Sequence, residues 1–369
     1  MHSPRHSWIA LAASMLFLAN LAWAMKVTDP QSPIDDDERV VFFPTAAHRS
    51  ADGTEWIVPI HGWVFEPRPT SRKRAALLGT LRVAWGLDRD SAETEVFRRR
   101  AWAFLVDNER GQRIAVQIAG HIEQLPPSQP NGHFRSELRL PADGPGSPAA
   151  ATWLPHMAVM RPLDGRQFRG EALLLDDEGV SVVSDIDDTV KISEVRNRQV
   201  LMRRTFLQEF EAAPGMARLY QSWQARGASF HYVTAAPWQL YEPLSEFLTQ
   251  QEFPRGTFDM KDFRLKDSTI RNLWADADTL KRQAIEPLLA RFPRRRFILV
   301  GDSGERDPEI YGHIARAHPQ QVMAIFIRDV TGEPSTHPRY TAAFAELPND
   351  MWRIFADPAV LDDWRWPDP

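Results

Sequence analysis

The chain has no cysteine in 369 residues. That excludes disulfides, thiol nucleophiles, thiolate metal sites and an acylated-cysteine anchor. A surplus of positive charge is also missing: 44 Lys and Arg stand against 49 Asp and Glu, a formal charge of −5. No nucleic-acid partner is expected from such a balance. No repeat or low-complexity block occurs, and long apolar runs are scarce. The exception lies near the amino end, where Arg5 precedes an apolar stretch from Trp8 to Ala24 closing on Ala22-Trp23-Ala24. A basic start, an apolar middle and a small-x-small end predict a secretory signal over 1–24, cleaved after Ala24. The expected location is periplasmic, across the inner membrane. The same segment left uncleaved would act as an anchor.

What is present suits a globular chain of two domains, with 43% hydrophobic residues. Residues 25–52, with Pro30, Pro33 and the acids Asp35 to Glu38, read as a lead-in. Residues 53–176 read as a small β-rich, sandwich-like domain. Its expected strands are Trp56–Phe65, His133–Leu140 and Glu171–Leu175, with a hairpin of Ala101–Val106 and Arg113–Ile118 turning at 107–111. A helix is expected at 70–87. Nothing in this region looks catalytic. From 177 to 369 strands and helices alternate, which predicts an α/β domain with a doubly wound parallel sheet. Its helices are expected at Met216–Arg226, from Pro237 to Gln251, and at Asp278–Arg291, the last kinked by Pro287. Strands are expected at Val180–Val183, Phe230–Thr234, Thr257–Phe263, Phe297–Val300 and Val322–Val330.

The most informative stretch is Val182-Val183-Ser184-Asp185-Ile186-Asp187-Asp188-Thr189. A β-branched strand ends there in two carboxylates two residues apart, at the sheet edge where open α/β folds build their sites. Two like charges so close are costly to bury unless a cation or a reaction uses them. A loop of solvated acids is the plain alternative. Three further features count against it. The strand Phe230-His231-Tyr232-Val233-Thr234 ends in a hydroxyl. The strand Phe297 to Val300 runs into Gly301-Asp302-Ser303-Gly304, with Asp307 following. Lys281 stands near the start of a helix between those two strands.

An acid, a hydroxyl, a cation and a second acid in that order resemble all four motifs of the haloacid dehalogenase superfamily of phosphohydrolases. The resemblance is tighter with one branch, the phosphatidate phosphatases first associated with yeast actin patches and their bacterial relatives. It is carried by Ser184 to Lys191, by Ala236-Pro237-Trp238-Gln239-Leu240-Tyr241, and by Gly301 to Gly304 with Asp307-Pro308-Glu309-Ile310-Tyr311. It implies Asp185 as the nucleophile that becomes a phosphoaspartate, and Asp187 as the acid/base. It implies Mg2+ held by the Asp185 and Asp302 carboxylates and the Asp187 backbone carbonyl. Thr234 and Lys281 would bind phosphate, Lys281 also neutralising Asp185. Asp307, Thr189 and Ser303 would support the site, Ser303 by orienting Asp302. Lys261 and Lys266 are rivals to Lys281. The sequence departs from the branch at Thr234-Ala235-Ala236, where Ser-Asn-Ser or similar is expected, and that puts the head-group contacts in question.

Asp185 and Thr234 lie 49 positions apart and Thr234 and Lys281 lie 47 apart, which leaves no room for a large cap domain. An open site favours a bulky substrate. Residues 192–213 can form only a flap, whose Arg196, Arg198, Arg203 and Arg204 would suit an anionic lipid surface or a solvated face. Trp238 to Tyr241 would pack on the core or wall the substrate pocket. The expected activity is Mg2+-dependent hydrolysis of phosphatidate to diacylglycerol and phosphate. Two alternatives are a secreted phosphomonoesterase for a phosphoprotein, sugar phosphate or lysolipid, and a binding protein with a remnant phosphatase half.

Overall fold

The computed structural model describes residues 29–67, 79, 83, 95–142, 152–263 and 277–364. The segment 1–24, most of the helix expected at 70–87, and Lys266 lie outside that range. None of the helices among the described residues is long and apolar enough to cross a membrane.

Two sheets carry the fold. The first has nine strands: β1 (Arg39–Phe43), β2 (Thr45–Arg49), β3 (Glu55–Glu66), β4 (Asp107–Asn108), β5 (Ala115–Ile118), β6 (His121–Gln124), β7 (His133–Pro141), β8 (Thr152–Ala158) and β9 (Arg169–Leu174). Residues 39–49, within the segment read as an irregular lead-in, thus form two strands. The apolar run Val40 to Phe43 supplies the reason, since all four side chains are buried. β2 joins the halves of the sheet, pairing with β9 through Thr45–Ala47 and with β3 through His48 and Arg49. The halves close over one core, with Phe42, Val58, Ile60 and Phe134 meeting Val116, Ile118, Ala172 and Leu174. The β-rich expectation therefore holds for this region.

The hairpin expected at 107–111 is wrong. Glu95–Trp102 is a helix, α1, so Ala101 and Trp102 belong to helix and not to strand. The hairpin lies further on, where β5 pairs antiparallel with β6 around Ala119 and Gly120. Both turn residues have positive φ, 47° and 82°, which is the two-residue turn that matches strand twist. The run Ala101 to Val106 is apolar without a period, and such a short run does not by itself distinguish a strand from a buried helix end.

The second sheet has six strands in the order β12-β11-β10-β13-β14-β15. They are β10 (Val180–Ser184), β11 (Ser229–Pro237), β12 (Gly256–Lys261), β13 (Arg296–Asp302), β14 (Val322–Arg328) and β15 (Trp352–Phe355), with every pair parallel. The helices are α2 (Arg198–Phe206), α3 (Met216–Ala225), α4 (Tyr241–Gln250), α5 (Ala277–Arg291), α6 (Asp307–Ala317) and α7 (Pro338–Ala343). Successive residues point to opposite faces of a strand. Val182, Ile298 and Phe326 accordingly join one apolar cluster with Tyr220 and Trp223 of α3. Val183, Leu299 and Ile325 join another with Ile285, Leu289 and Ile314 of α5 and α6. Helices thus cover both faces, and the near-continuous apolar strands are what a sheet buried on both faces requires. Pro287 sits inside α5. β11 runs on to Pro237 and Trp238–Leu240 is a 3-10 turn, so the helix expected from Pro237 begins four residues later. The first sheet shares the α3 cluster through Val41, Phe43, Trp63 and Phe65.

Candidate active site

The chain leaves β10 toward β11 on one side, while β13 lies on the other. That reversal opens a crevice at the carboxyl ends of the strands, where ligands bind in open α/β sheets. β10 delivers Asp185 there, β11 delivers Thr234 and β13 delivers Asp302. All three are buried, as are Asp187, Lys281 and Asp307. The segment between Asp185 and Ala228 contains only two helices among its residues, α2 and α3.

One cluster forms around Lys281. Its ammonium lies 3.0 Å from Asp185 Oδ1 and 2.8 Å from Glu305 Oε2, and it also bonds Asp307 Oδ1. Thr189 Oγ1 donates to Asp185 Oδ2 at 3.1 Å. Asp302 Oδ1 accepts the N–H groups of Gly304 (2.6 Å) and Glu305 (3.1 Å), while its own N–H donates to Asp307 Oδ2 at 3.1 Å. Gly301 makes that approach possible, because a Cβ there would stand 2.2 Å from Asp307 Oδ2. Asp302 Oδ2 is buried with no hydrogen-bond partner. Carboxylate oxygens of Asp185, Asp302 and Glu305 all lie within 4.8 Å of one another.

Three carboxylates, those of Asp185, Glu305 and Asp307, therefore share one lysine, with Asp302 beside them. Burial first, then the neighbouring charges, moves Asp185, Asp302 and Glu305. Burial holds the Asp185 and Asp302 carboxyls well above the usual range; Lys281 pulls both down, and Asp307 and Glu305 push both up. Glu305 is raised for the same first reason. Burial acts to lower Lys281, but Asp185, Asp307 and Glu305 outweigh it and keep it firmly protonated. The donor set is all oxygen and short of positive charge, so it fits a hard divalent cation.

A second cluster holds Asp187. Lys191 Nζ lies 2.6 Å from Asp187 Oδ1, Ser193 Oγ donates to the same oxygen at 2.7 Å, and Thr234 Oγ1 reaches Oδ2 at 3.3 Å. Burial would raise this carboxyl, but the Lys191 charge and the Lys191 and Ser193 hydrogen bonds prevail and hold it below the ordinary value. Asp188, in the left-handed region at φ 58°, accepts the N–H groups of Ser193 and Glu194 on Oδ1 and of Val195 on Oδ2. It fixes the loop that carries Ser193.

The structure thus brings together Asp185, Asp187, Thr189, Thr234, Lys281, Asp302 and Asp307. Lys281, rather than Lys261 at the end of β12, enters the acid cluster. Ser303 does not hold the Asp302 carboxylate. Its hydroxyl donates to Asp329 Oδ1 at 3.2 Å and accepts from Val330 N at 2.9 Å, so it supports the loop from behind. Trp238 is core: its ring lies 4.1 Å from Phe43 and 4.6 Å from His61. Leu240, from the same stretch, lines a small cavity with Asp187. Arg196, Arg198 and Arg203 are exposed, while Arg204 is held by Glu194 (2.7 Å) and Glu211 (3.2 Å).

Sequence reasoning missed Glu305 and Lys191's pairing with Asp187. The available signal for Glu305 was its place in a glycine-bounded turn between two motif acids. His61, His133 and Asp262 also lie close enough to share an ion. Their groups are already matched, His61 Nε2 with His133 Nδ1 at 3.0 Å and Asp262 with Arg135 at 2.8 Å.

A family profile described as the catalytic domain of phosphatidate phosphatase APP1 matches residues 180–329. Phosphatidate phosphatase APP1 of Saccharomyces cerevisiae is 31% identical over 166 residues, covering 44% of this chain and 28% of that protein. An uncharacterized protein of Schizosaccharomyces pombe is 30% identical over 172 residues, covering 46% and 28%. The match spans little more than a quarter of the length of either relative. A crystal structure of Parabacteroides merdae beta-glucuronidase aligns at 9% identity over 79% of this chain and 34% of that one. Its TM-score is 0.26, too low to indicate a common fold.

Proposed function

We propose, from the premise that residues 180–329 belong to the catalytic-domain family of phosphatidate phosphatase APP1, that this chain hydrolyses phosphatidate to diacylglycerol and phosphate. In this reading the parallel-sheet half, residues 177–369, is a doubly wound domain of the haloacid dehalogenase type and carries the activity. One observation carries the chemistry. Asp302 Oδ2 is buried without a partner, carboxylate oxygens of Asp302, Asp185 and Glu305 lie within 4.8 Å of one another, and Lys281 pairs with Asp185, Glu305 and Asp307.

Asp185, Asp302 and Glu305, with the Asp187 carbonyl, would hold Mg2+, whose charge offsets that of the phosphoryl oxygens. The protein's own residues do the rest. Lys281 and Thr189 hold the two Asp185 oxygens apart, one on each, which fixes the plane of the carboxylate. An Asp185 oxygen attacks phosphorus, the bond from phosphorus to the alcohol oxygen breaks, and a phosphoaspartate forms. Asp187 gives its proton to the departing alkoxide. It then takes one from water, whose oxygen attacks phosphorus and releases Asp185 and inorganic phosphate. Resting Asp187 is ionised beside Lys191, and a phosphate dianion arriving next to it opposes that ionisation, so substrate itself favours the proton it needs. Thr234, 3.3 Å from Asp187, is placed to donate to a phosphate oxygen.

The test is a panel of phosphate esters assayed with Mg2+ and with a chelator. Activity on vesicle-borne phosphatidate that the chelator removes is the expected result. Asp185→Asn should abolish it while leaving the circular dichroism spectrum unchanged. Activity confined to soluble esters would refute the lipid substrate, and wild-type turnover by Asp185→Asn would refute the mechanism. The apolar segment Trp8–Ala24 adds the proposal that the enzyme works in the periplasm. Finding the protein in the cytosolic fraction with Met1 retained would contradict it.

A further inference from the structure

One helix of the β-rich half reaches the surroundings of Asp187. Arg100, on α1, is 2% exposed. Its Nη1 donates to the carbonyls of Thr205 and Gln208, both at 2.7 Å, and of Arg204 at 3.4 Å. These lie at the carboxyl end of α2, where helix carbonyls lack partners and a cation is favoured. Nη2 lies 3.3 Å from Glu209 Oε2. The guanidinium carbon stands 3.6 Å from the centroid of the Phe210 ring.

The same ring has a second cation. Lys191 Nζ lies 4.9 Å from its centroid, and Lys191 is the ion partner of Asp187. Phe210 lines, with Asp187, Lys191, Leu240 and Leu244, one small cavity. A continuous path of contact therefore runs Arg100, Phe210, Lys191, Asp187. A guanidinium this deeply buried is expensive, and its Nε has no partner at all. Packing alone would be served as well by a methionine or leucine. The bonds it does make all go to the segment 204–210.

We propose that Arg100 is a positioning residue for protonation of the leaving group. It fixes residues 205–210 so that Phe210 covers the Lys191–Asp187 pair and keeps Asp187 aimed at the departing oxygen. This gives the β-rich half a part in the reaction without a residue that touches substrate. The inference rests on Asp187 being the acid/base of the proposed function.

The consequence depends on the leaving group. As the Asp185 oxygen bonds to phosphorus, the bond from phosphorus to the leaving oxygen breaks and the Asp187 proton moves to that oxygen. An alkoxide such as that of diacylglycerol is strongly basic and needs the proton. A p-nitrophenolate is stable without it. Misplacing Asp187 should therefore slow phosphoryl transfer from the first ester and spare that from the second, while the water step, which also uses Asp187, is common to both and does not enter kcat/KM.

The experiment compares the full chain, wild type and Arg100→Met, with Mg2+ on vesicle-borne phosphatidate and on p-nitrophenyl phosphate. General acid–base help is worth about a hundredfold to ten-thousandfold when lost outright. We expect a misplaced acid to lower kcat/KM on phosphatidate at least about tenfold and kcat/KM on the aryl ester by no more than about twofold. Phe210→Leu, which leaves Arg100 in place, should show the same split, and Arg100→Lys should restore part of the alkyl rate. Equal loss of kcat/KM on both esters, or loss on neither, would overturn the proposal. If Arg100→Met fails to fold, Phe210→Leu and Arg100→Lys decide it by the same ratio. A wild-type protein inactive on both esters would instead remove the phosphatase reading itself, and the inference with it.

Discussion

Replacing Asp302 by asparagine should make the metal-free protein more stable while removing its response to Mg2+. Asp302 is fully buried, its Oδ1 bonded to two backbone N–H groups and its Oδ2 to nothing. Oxygens of Asp185 and Glu305 lie within 4.8 Å. At that distance one like-charge pair costs about 3.5 kcal/mol for an effective dielectric of 20. Lys281 and proton uptake offset part of that, so the expected net gain from Asp302→Asn is about 1–3 kcal/mol. The amide keeps the Oδ1 acceptor and puts an N–H donor where Oδ2 had no partner, facing carboxylate oxygens. For a chain of this size that gain is a rise in Tm of a few degrees, given roughly 2–4 °C per kcal/mol in smaller domains. The pH dependence follows from the direction of the shifts. A carboxyl raised on folding holds its proton more tightly in the folded state, so its contribution is greatest in acid and is lost as pH climbs through the raised value. Metal-free wild type should thus lose more stability between pH 5 and pH 8 than the variant does. The assay is thermal unfolding of chelator-treated wild type and Asp302→Asn across pH, repeated with millimolar Mg2+. Lower stability of the metal-free variant, or equal stabilisation of both proteins by Mg2+, would refute the reasoning.

Two other substitutions probe the scaffold of the site. Lys191→Met leaves Asp187 buried without its cation, which should cost about 3–5 kcal/mol and shift the urea midpoint accordingly; an unchanged midpoint would contradict the pairing. Gly301→Ala places a Cβ where Asp307 Oδ2 now stands, so Asp307 should be pushed off both Lys281 and the Asp302 N–H, with phosphatidate turnover down at least about tenfold and the far-ultraviolet spectrum intact. Wild-type kinetics for Gly301→Ala would show that Asp307 is not held by this close approach.

The sequence disclosed the parallel-sheet half well because its signals are local. Val180 to Val183, Phe230 to Val233 and Phe297 to Val300 are uninterrupted apolar runs, and a strand buried on both faces reads that way. The acids that end those runs were placed correctly for the same reason. Glu305 was not singled out because a place in a turn between two motif acids does not by itself separate it from a solvated residue; its meaning comes from Lys281, 24 positions earlier. Lys191 was noted only as a motif companion, since its pairing with Asp187 depends on a loop held by Asp188. The β-rich half was harder to read. Ala101 to Val106 is apolar without a period, and α1 begins in a stretch whose polarity gives no clear stop. Arg100 carried no signal at all, because its partners at 204–210 lie a hundred residues away and accept through backbone carbonyls, which any sequence supplies.

Asp185 and Asp187 are two positions apart, yet their surroundings push them in opposite directions. Burial, with the charges of Asp307 and Glu305, raises Asp185, and the Lys191 contact lowers Asp187. For the proposed reaction this is the reverse of what is needed, because the nucleophile must be ionised and the acid protonated. Each half of the discrepancy has its own remedy. Positive charge beside Asp185, Asp302 and Glu305 would release the Asp185 proton, and a phosphate dianion beside Asp187 would favour its protonation. Each remedy is strongest at its own carboxyl, since Lys281 pairs with Asp185 and Lys191 with Asp187, although the Lys281 charge also reaches Asp187. The two acids reach their working states together only when cation and phosphate ester are both present. With either one absent, a carboxyl stays in the wrong state, and water has no activated phosphorus to attack.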